Sequence, residues 1–315
     1  MDPKIKVVGV GGSGSNTIYR MANLGLTGVE LIAVNTDAQA LFFSKGDSKE
    51  IKKILIGKNI THGLGTGMDA ELGRRSAEES KIEIEQTIKG ADMVFVTCGL
   101  GGGTGSGASP IIAEVARNLG ILTVVVVTTP FSFEGLERKK IAQESLKNLE
   151  GHMDSLMVIS NDKLLKIVDE KTTVSNAFLI CDDILREAVK SITDLILVPG
   201  IINIDFASVL SIMKGAGKTL FGVGRAQGQD RGIKAEEMAI NSPLLDSSIK
   251  GAKGVLFSVA GNDTTLDEIQ EIAKIITKQA DSKAQIIFGA VKPPKGSPEF
   301  RKGDLKVTVI GTKLG

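Results

Sequence analysis

Tryptophan is absent from this 315-residue chain, tyrosine occurs once, at Tyr19, and cysteine twice, at Cys98 and Cys181. Each cysteine lies in an apolar stretch, and neither has a Cys-x-x-Cys or other metal-ligand spacing. That excludes a disulfide-stapled scaffold or zinc ribbon and reads as two buried thiols in a reducing compartment. No apolar run approaches the ~20 residues of a membrane span, and the strand-like Ile5 to Val10 begins almost at once, so neither direct membrane insertion nor a secretory leader is expected and the location is read as cytoplasmic. An excess of one charge is missing too. With 38 Lys and Arg against 37 Asp and Glu, the net charge of +1 names neither nucleic acid nor an anionic membrane as partner. Glycine, by contrast, is plentiful at 37 residues, which points to many close backbone turns. The length, with 42% hydrophobic and 24% charged residues, suits a globular chain of two domains.

Hydrophobic periodicity orders these parts. Ile5 to Val10 reads as a strand ending in glycines, followed by a helical pattern carrying Ile18, Met21 and Ala22. Strands at Val29–Val34, Met93–Cys98, Leu122–Thr128 and Ser155–Ser160 alternate with helices at Asp69–Ile88, Pro110–Leu119 and Leu136–Leu149. Such alternation implies a mostly parallel sheet covered on both faces. From Thr173 to Leu197 apolar residues keep a three-and-four spacing without Gly or Pro, which gives one helix about 37 Å long, stopped by Pro199-Gly200. Beyond it come a short helix at Phe206–Met213, strands at Leu220–Gly224, Val255–Ala260, Gln285–Gly289 and Leu305–Ile310, and helices at Lys234–Ile240 and Leu266–Gln279. The Pro-, Gly- and Lys-rich stretch from Lys292 to Gly303 reads as an exposed hairpin connection between the last two strands. The expected class is α/β: a Rossmann-like parallel-sheet nucleotide domain over 1–172, a central connecting helix over 173–198, and a smaller α/β domain over 199–315.

Gly9-Val-Gly11-Gly-Ser-Gly14 fits G-x-G-x-x-G between a strand and a helix, with Asp37 about twenty residues on, so a nicotinamide dinucleotide site and a ligand-free tight turn both have to be weighed. A second glycine loop, Gly99 to Gly107, again lies between a strand end and a helix. Two such loops in one sheet bring free backbone N–H groups to a polyphosphate from two sides, whereas a nicotinamide dinucleotide needs only the first. Gly217-Lys218-Thr219 imitates the end of a P-loop. Its leading glycine would fall on Ile212, however, and it precedes a strand, so Lys218 reads as a surface lysine at a strand entrance.

Gly101-Gly-Gly-Thr104-Gly-Ser106-Gly107 resembles the GGGTG[ST]G signature of the tubulin/FtsZ superfamily. The likeness extends along the chain in FtsZ order through Val34-Asn-Thr-Asp-Ala-Gln-Ala-Leu41, Ala91–Thr97, Pro130-Phe-Ser-Phe-Glu-Gly135, Asn161–Leu165, Asn203-Ile-Asp-Phe-Ala207, Ser242–Leu245 and Ile286–Gly289. The resemblance implies a GTP-binding and GTP-hydrolysing protein that polymerises head to tail into filaments of the cell-division ring, taking GTP/GDP and Mg²⁺. By it, Gly11, Gly12, Ser13, Gly14, Ser15 and Asn16 form the first phosphate loop. Gly103, Thr104, Gly105 and Ser106 hold the β- and γ-phosphates, and Gly67, Met68, Gly101, Gly102, Thr128 and Pro130 line the same site. Glu134 and Arg138 match ribose and phosphate contacts; four apart, they also read as a surface ion pair. Asn161 and Asp182 match the guanine contacts, with Phe178 packing on the base. A carboxylate accepts from both N1–H and the 2-amino group of guanine, whereas adenine meets it with an acceptor, so Asp182 gives a reason for GTP over ATP. Asn203 and Asp205 match the loop that completes the site of the next subunit, Asp205 polarising the attacking water. Implied partners are the chain itself and, through a tail this sequence lacks, membrane-tethering and regulatory division proteins at the division site.

Four departures bear on these roles. Ser208 stands where the family usually has a second acid three positions after Asp205, which implies slow turnover, or else a helix cap at Ser208. Ser13 and Ser15 replace common glycines, awkward if either needs a positive φ. Asp69 replaces the more frequent Asn and reads as an N-cap or a ligand of hydrated Mg²⁺. The chain also stops at Gly315, where a trimmed and a tail-less protein look alike. Two alternatives stay open at this point: an FtsZ-like structural protein with weak or no GTPase activity, and an oxidoreductase using Gly9 to Gly14 with Asp37.

Overall fold

Six strands rich in Val and Ile, with apolar side chains on both faces, need cover on both sides, and helices between parallel strands supply it. The computed structural model describes residues 2–23, 26, 28–42, 50–165, 171–242, 248–293 and 300–313. The chain divides into two compact units, Met1–Lys190 and Ser191–Gly315, with the boundary inside a long helix. The first unit runs β1 (Ile5–Val10), α1 (Gly11–Asn23), β2 (Val29–Asn35), α2 (Ala38–Phe42), β3 (Ile51–Leu55), α3 (Lys58–Thr61), α4 (Ala70–Glu79), α5 (Lys81–Ile88), β4 (Met93–Gly99), α6 (Gly103–Asn118), β5 (Leu122–Thr129), α7 (Leu136–Leu149), β6 (Ser155–Ser160), α8 (Asn161–Leu164) and most of α9 (Val174–Leu197). Its strands are all parallel in the order β3-β2-β1-β4-β5-β6. Val8 of β1 stands opposite Ile32 of β2 and Val96 of β4, and all three are buried. Between β1 and β4 the order reverses. Connections leave those two strands in opposite directions there, which opens a crevice at their C-terminal ends.

Two of the expected helices differ from the structure. The segment expected as one helix over 69–88 breaks at Ser80 (φ −98°, ψ 12°), whose Oγ accepts the N–H of Gly57. The helix expected from Pro110 starts seven residues earlier, at Gly103, because glycines there allow backbone contact. A Cβ at Gly103 would lie 2.6 Å from the Asp69 carbonyl, and α4 packs directly on α6. Pro110 then sits inside α6 with no N–H for the Ser106 carbonyl. The Ser145 hydroxyl of α7 donates to that carbonyl instead, at 2.7 Å. The short elements α2, α3 and β3 carry too few residues for a periodic signal. Asp37 turns the chain into α2 by accepting the Ala40 N–H at 2.9 Å.

The second unit continues with α10 (Phe206–Met213), β7 (Gly217–Gln227), α11 (Arg231–Ile240), β8 (Gly254–Gly261), α12 (Leu266–Gln279), β9 (Gln285–Val291) and β10 (Asp304–Thr312). Its strand order is β7-β10-β8-β9. β10 runs antiparallel to both neighbours, and β8 pairs with β9 in parallel. The expected hairpin between the last two strands is therefore incorrect. β8 lies between them, because α12 returns β9 parallel to β8 and leaves β10 to fill the gap on the other side. Residues 294–299 of that connection, and 243–245 of the Ser242–Leu245 segment, lie outside the described residues. Lys218 is exposed at the start of β7. Both cysteines are free and buried, and burial pushes each thiol up to about 12. No helix among the described residues is long and apolar enough to cross a membrane.

α11 buries a carboxylate. Glu236, between Ala235 and Ala239, is fully buried, and neither carboxylate oxygen has a hydrogen-bond partner. Burial first, then the charge of Glu237, raises its pKa to about 7. In acid both folded and unfolded chains hold this proton. Between the ordinary glutamate pKa and about 7 only the unfolded chain releases it, so the residue costs stability as pH rises through that window and a constant amount above it. Urea unfolding at pH 5 and pH 8 should show Glu236→Gln gaining on wild type by about 2.5 kcal/mol more at the higher pH. Parallel stability curves for the two proteins would refute this.

Candidate functional site

The crevice at the β1/β4 reversal holds a cleft of about 250 Å³, walled by Gly11, Gly12 and Ser13 from one loop and Gly99, Gly102, Gly103, Thr104 and Gly105 from the other. Thr66, Thr128, Pro130, Glu134, Arg138, Asn161, Phe178, Cys181 and Asp182 close it. All belong to the first unit. Both α1 and α6 open on glycine at its floor, so two helix N-termini, each with unpaired N–H groups and a partial positive charge, converge on one volume. Gly102, the cap of α6, offers no side chain to those N–H groups. Gly11 takes φ +72°, and a Cβ on it would lie 2.9 Å from the Gly105 nitrogen, so the loops touch through backbone. Neither Ser13 nor Ser15 has a positive φ, which removes the conformational objection to serine there.

The polar side chains divide between bracing the loops and facing the cleft. Thr104 Oγ1 lies 2.7 Å from Thr36 Oγ1 and 3.3 Å from Thr66 Oγ1, which ties the second loop to the segment around Gly65. Ser106 Oγ accepts the Gly101 N–H at 2.8 Å, closing the loop on itself. Gly14 packs on β4, where a Cβ would meet the Thr97 carbonyl at 2.5 Å, and Ser15 is buried with its hydroxyl unpaired. Asn16 is exposed, and Gly67 and Met68 both adopt positive φ in the turn before α4. Asp69 is the N-cap of α4, accepting the Leu72 N–H at 2.9 Å. Of the loop residues expected from sequence, Gly14, Ser15, Asn16, Gly67, Met68, Gly101 and Ser106 thus shape or flank the walls. Thr66 was missed. Its only sequence signal is a hydroxyl within Gly65-Thr66-Gly67.

On the opposite side Glu134 Oε2 and Arg138 Nη1 pair at 3.3 Å, as their spacing implies, while Glu134 Oε1 accepts the Phe131 N–H. Phe178 is 40% exposed and meets Phe131 edge-on at 5.4 Å, leaving a ring face for a planar ligand. Asn161 is buried with Oδ1 lacking any donor. Asp182 is 8% exposed, and burial pushes its pKa up to about 6 against the opposing pull of Arg20 and the Ser13 and Thr17 hydroxyls. An orphan acceptor and a desolvated carboxylate beside an open ring suit the donor edge of a base. Asn203 and Asp205 lie in the second unit, ahead of α10, and are exposed. Asn203 Oδ1 accepts the Gly200 N–H at 2.6 Å, and Asp205 Oδ1 accepts the Ser208 N–H at 2.7 Å. The N-cap of α10 is therefore Asp205, and the expectation that Ser208 caps this helix is corrected: Ser208 supplies the N–H being capped.

Residues 4–169 match the family model for the Tubulin/FtsZ family, GTPase domain, and residues 217–315 match that for the FtsZ family, C-terminal domain. The chain belongs to the FtsZ family. Over 311 residues it is 51% identical to Cell division protein FtsZ 1 of Pyrococcus horikoshii, covering 99% of this chain and 81% of that protein. Against the Pyrococcus abyssi protein of the same name it is 50% identical, covering 98% and 80%. Among solved structures, an empty FtsZ dimer from M. jannaschii superimposes with TM-score 0.91 at 43% identity, covering 99% of this chain and 88% of that one. GDP-bound CetZ1 of Haloferax volcanii, at 21% identity and TM-score 0.82, shares the fold. The FtsZ-family fold thus accounts for both glycine loops on one parallel sheet.

Close backbone approach makes the loops intolerant of side chains at specific places. Gly105→Ala puts a methyl 2.8 Å from the Gly99 carbonyl, whereas Gly102→Ala meets nothing within 4 Å. Thermal and urea unfolding should show Gly105→Ala losing about 1–3 kcal/mol and Gly102→Ala changing by under about 0.5 kcal/mol. Equal stabilities would overturn the contact.

Proposed function

We propose that the chain is a GTP-binding, GTP-hydrolysing cell-division protein that polymerises head to tail, with each active site completed by the neighbouring subunit. One observation carries this reading: two glycine-led helix N-termini share a single cleft with Asn161 and Asp182. The triphosphate would lie across Gly11–Ser13 and Gly103–Gly105, taking backbone N–H groups. Guanine would stack on Phe178 and donate N1–H and its 2-amino group to Asp182, while Asn161 Oδ1 gains the donor it lacks. Glu134 and Arg138 would meet ribose and phosphate. Mg²⁺ would enter held by the phosphates, as suits an ion that keeps most of its water.

Hydrolysis needs a water directed at the γ-phosphate, and Asn203 and Asp205 are the residues for it. The Ser208 hydroxyl and N–H hold Asp205 below the usual carboxylate range. So weak a base suits orienting and polarising water more than keeping its proton. A contact that joins this loop to the cleft of another copy is heterologous and does not close, so it builds filaments. Turnover then rises from near zero only above a critical protein concentration. Ser208 gives the site one carboxylate where the family usually has two, and slow turnover follows. Membrane-tethering and regulatory division proteins would recruit such filaments to the division site.

The test is GTP hydrolysis against protein concentration with Mg²⁺, alongside polymer sedimentation and an ATP control. Phosphate release should appear with polymer and with GTP alone, Asp205→Ala should lower it at least tenfold without abolishing GTP binding, and Ser208→Asp should raise it several-fold. A rate per subunit independent of concentration would remove the shared site, and an unchanged rate in Ser208→Asp would remove the assigned role of Ser208.

A further inference from the structure

We infer that the Ser13–Thr17–Arg20 face of α1 positions the purine-reading carboxylate of Asp182 and thereby sets how strongly guanine is preferred; this rests on the nucleotide reading above. The three residues recur at i, i+4 and i+7, so they form one stripe along α1. The stripe lies against two consecutive acids of α9. Ser13 Oγ is 3.4 Å and Thr17 Oγ1 3.5 Å from Asp182 Oδ1, while Arg20 Nη2 pairs with Asp183 Oδ1 at 2.9 Å. Both hydroxyl contacts are long, and Thr17 also donates to the Ser13 carbonyl at 3.0 Å, so each contributes little alone. Together they are the only donors to the Asp182 carboxylate among the described residues. Thr17 is fully buried and does not line the cleft, so it acts through Asp182 and not on a ligand.

Orientation and charge are linked here. Burial works against the ionised form of Asp182, and Arg20, Ser13 and Thr17 work for it in that order. The other titratable or charged groups nearby are Cys181, Asp183 and Arg186 on α9 and Glu134, paired with Arg138, which also lines the cleft. An ionised carboxylate accepts both donors of guanine. A protonated one keeps fewer acceptor sites and can donate to N1 of adenine, so losing the charge weakens GTP and relaxes the choice of base together. Removing the stripe should therefore move the pH below which guanine preference fails to a higher value.

The variants are Arg20→Gln and Thr17→Val/Arg20→Gln; neither residue lines the cleft, and the Arg20 side chain is partly exposed. Equilibrium dissociation constants for GTP and ATP would be measured from pH 5.5 to 8.5. Wild type should lose GTP affinity below about pH 6. In each variant the fall should begin about one unit higher, making GTP binding about threefold weaker than wild type at pH 6.5 and the GTP-to-ATP ratio smaller, with the two converging by pH 8.5. Thr17→Ser, which keeps the hydroxyl, should follow wild type. Damage to the phosphate loop alone would instead weaken GTP and ATP equally at every pH, and that result overturns the inference. So does a variant profile that superimposes on wild type while guanine is still preferred. A wild-type protein with no preference for guanine at any pH overturns the nucleotide reading and this inference with it.

Discussion

Backbone has to meet backbone at the β1/β4 reversal, and glycine is the residue that permits it. Gly11 lies against Gly105, and Gly103 against the Asp69 carbonyl, at separations a methyl would violate. From those contacts the site follows: α1 and α6 begin side by side, their N–H groups face a common volume, and α4 is drawn onto α6. The arrangement is unfavourable in local terms. Glycine within a helix costs about 1 kcal/mol relative to alanine and an interior proline about 3, and the first turns of α6 contain Gly103, Gly105, Gly107 and Pro110. Tertiary packing offsets the deficit. Thirteen of the sixteen residues of α6 are buried, and the carbonyl left over by Pro110 is taken by Ser145.

That opposition between local preference and packing also explains what could be read from the sequence. The all-apolar strands, Leu136–Leu149 and the 24-residue α9 announced themselves by period and composition, since nothing nearby overrides them. Both glycine segments were legible as sharp strand-to-helix turns, but each hid the start of its helix, α1 at Gly11 and α6 at Gly103, because a run of glycines carries no helical signal until neighbouring elements cover it. Ser80 divides 69–88 through a tertiary hydrogen bond to Gly57, and no pattern within those twenty residues encodes it. The order β7-β10-β8-β9 was misread for a related reason: a Pro- and Gly-rich link says that the chain turns, not which strand it returns to. In the cleft, residues marked by repetition or by family likeness were found. Thr66 was missed because a lone threonine becomes informative only when Thr104 is seen beside it.

Two aspartates show how environment divides one residue type into different tasks. Asp205 stands in solvent at the start of α10, where the Ser208 hydroxyl and N–H favour its charged form and lower its pKa. Asp182 is buried among Ser13, Thr17, Phe178 and Cys181, and desolvation raises its pKa despite Arg20. A group that orients water in the proposed reaction gains from being charged at every working pH and rigidly held, which a cap hydrogen bond provides. A group that reads a base gains from burial, because only where water is excluded does an unmatched acceptor cost the 1–3 kcal/mol that discriminates one base from another. Burial deep enough to discriminate also brings the carboxylate close to losing its charge. Thr17 and Arg20, which do not line the cleft, support the anion from outside it, and Ser13 does so from its wall.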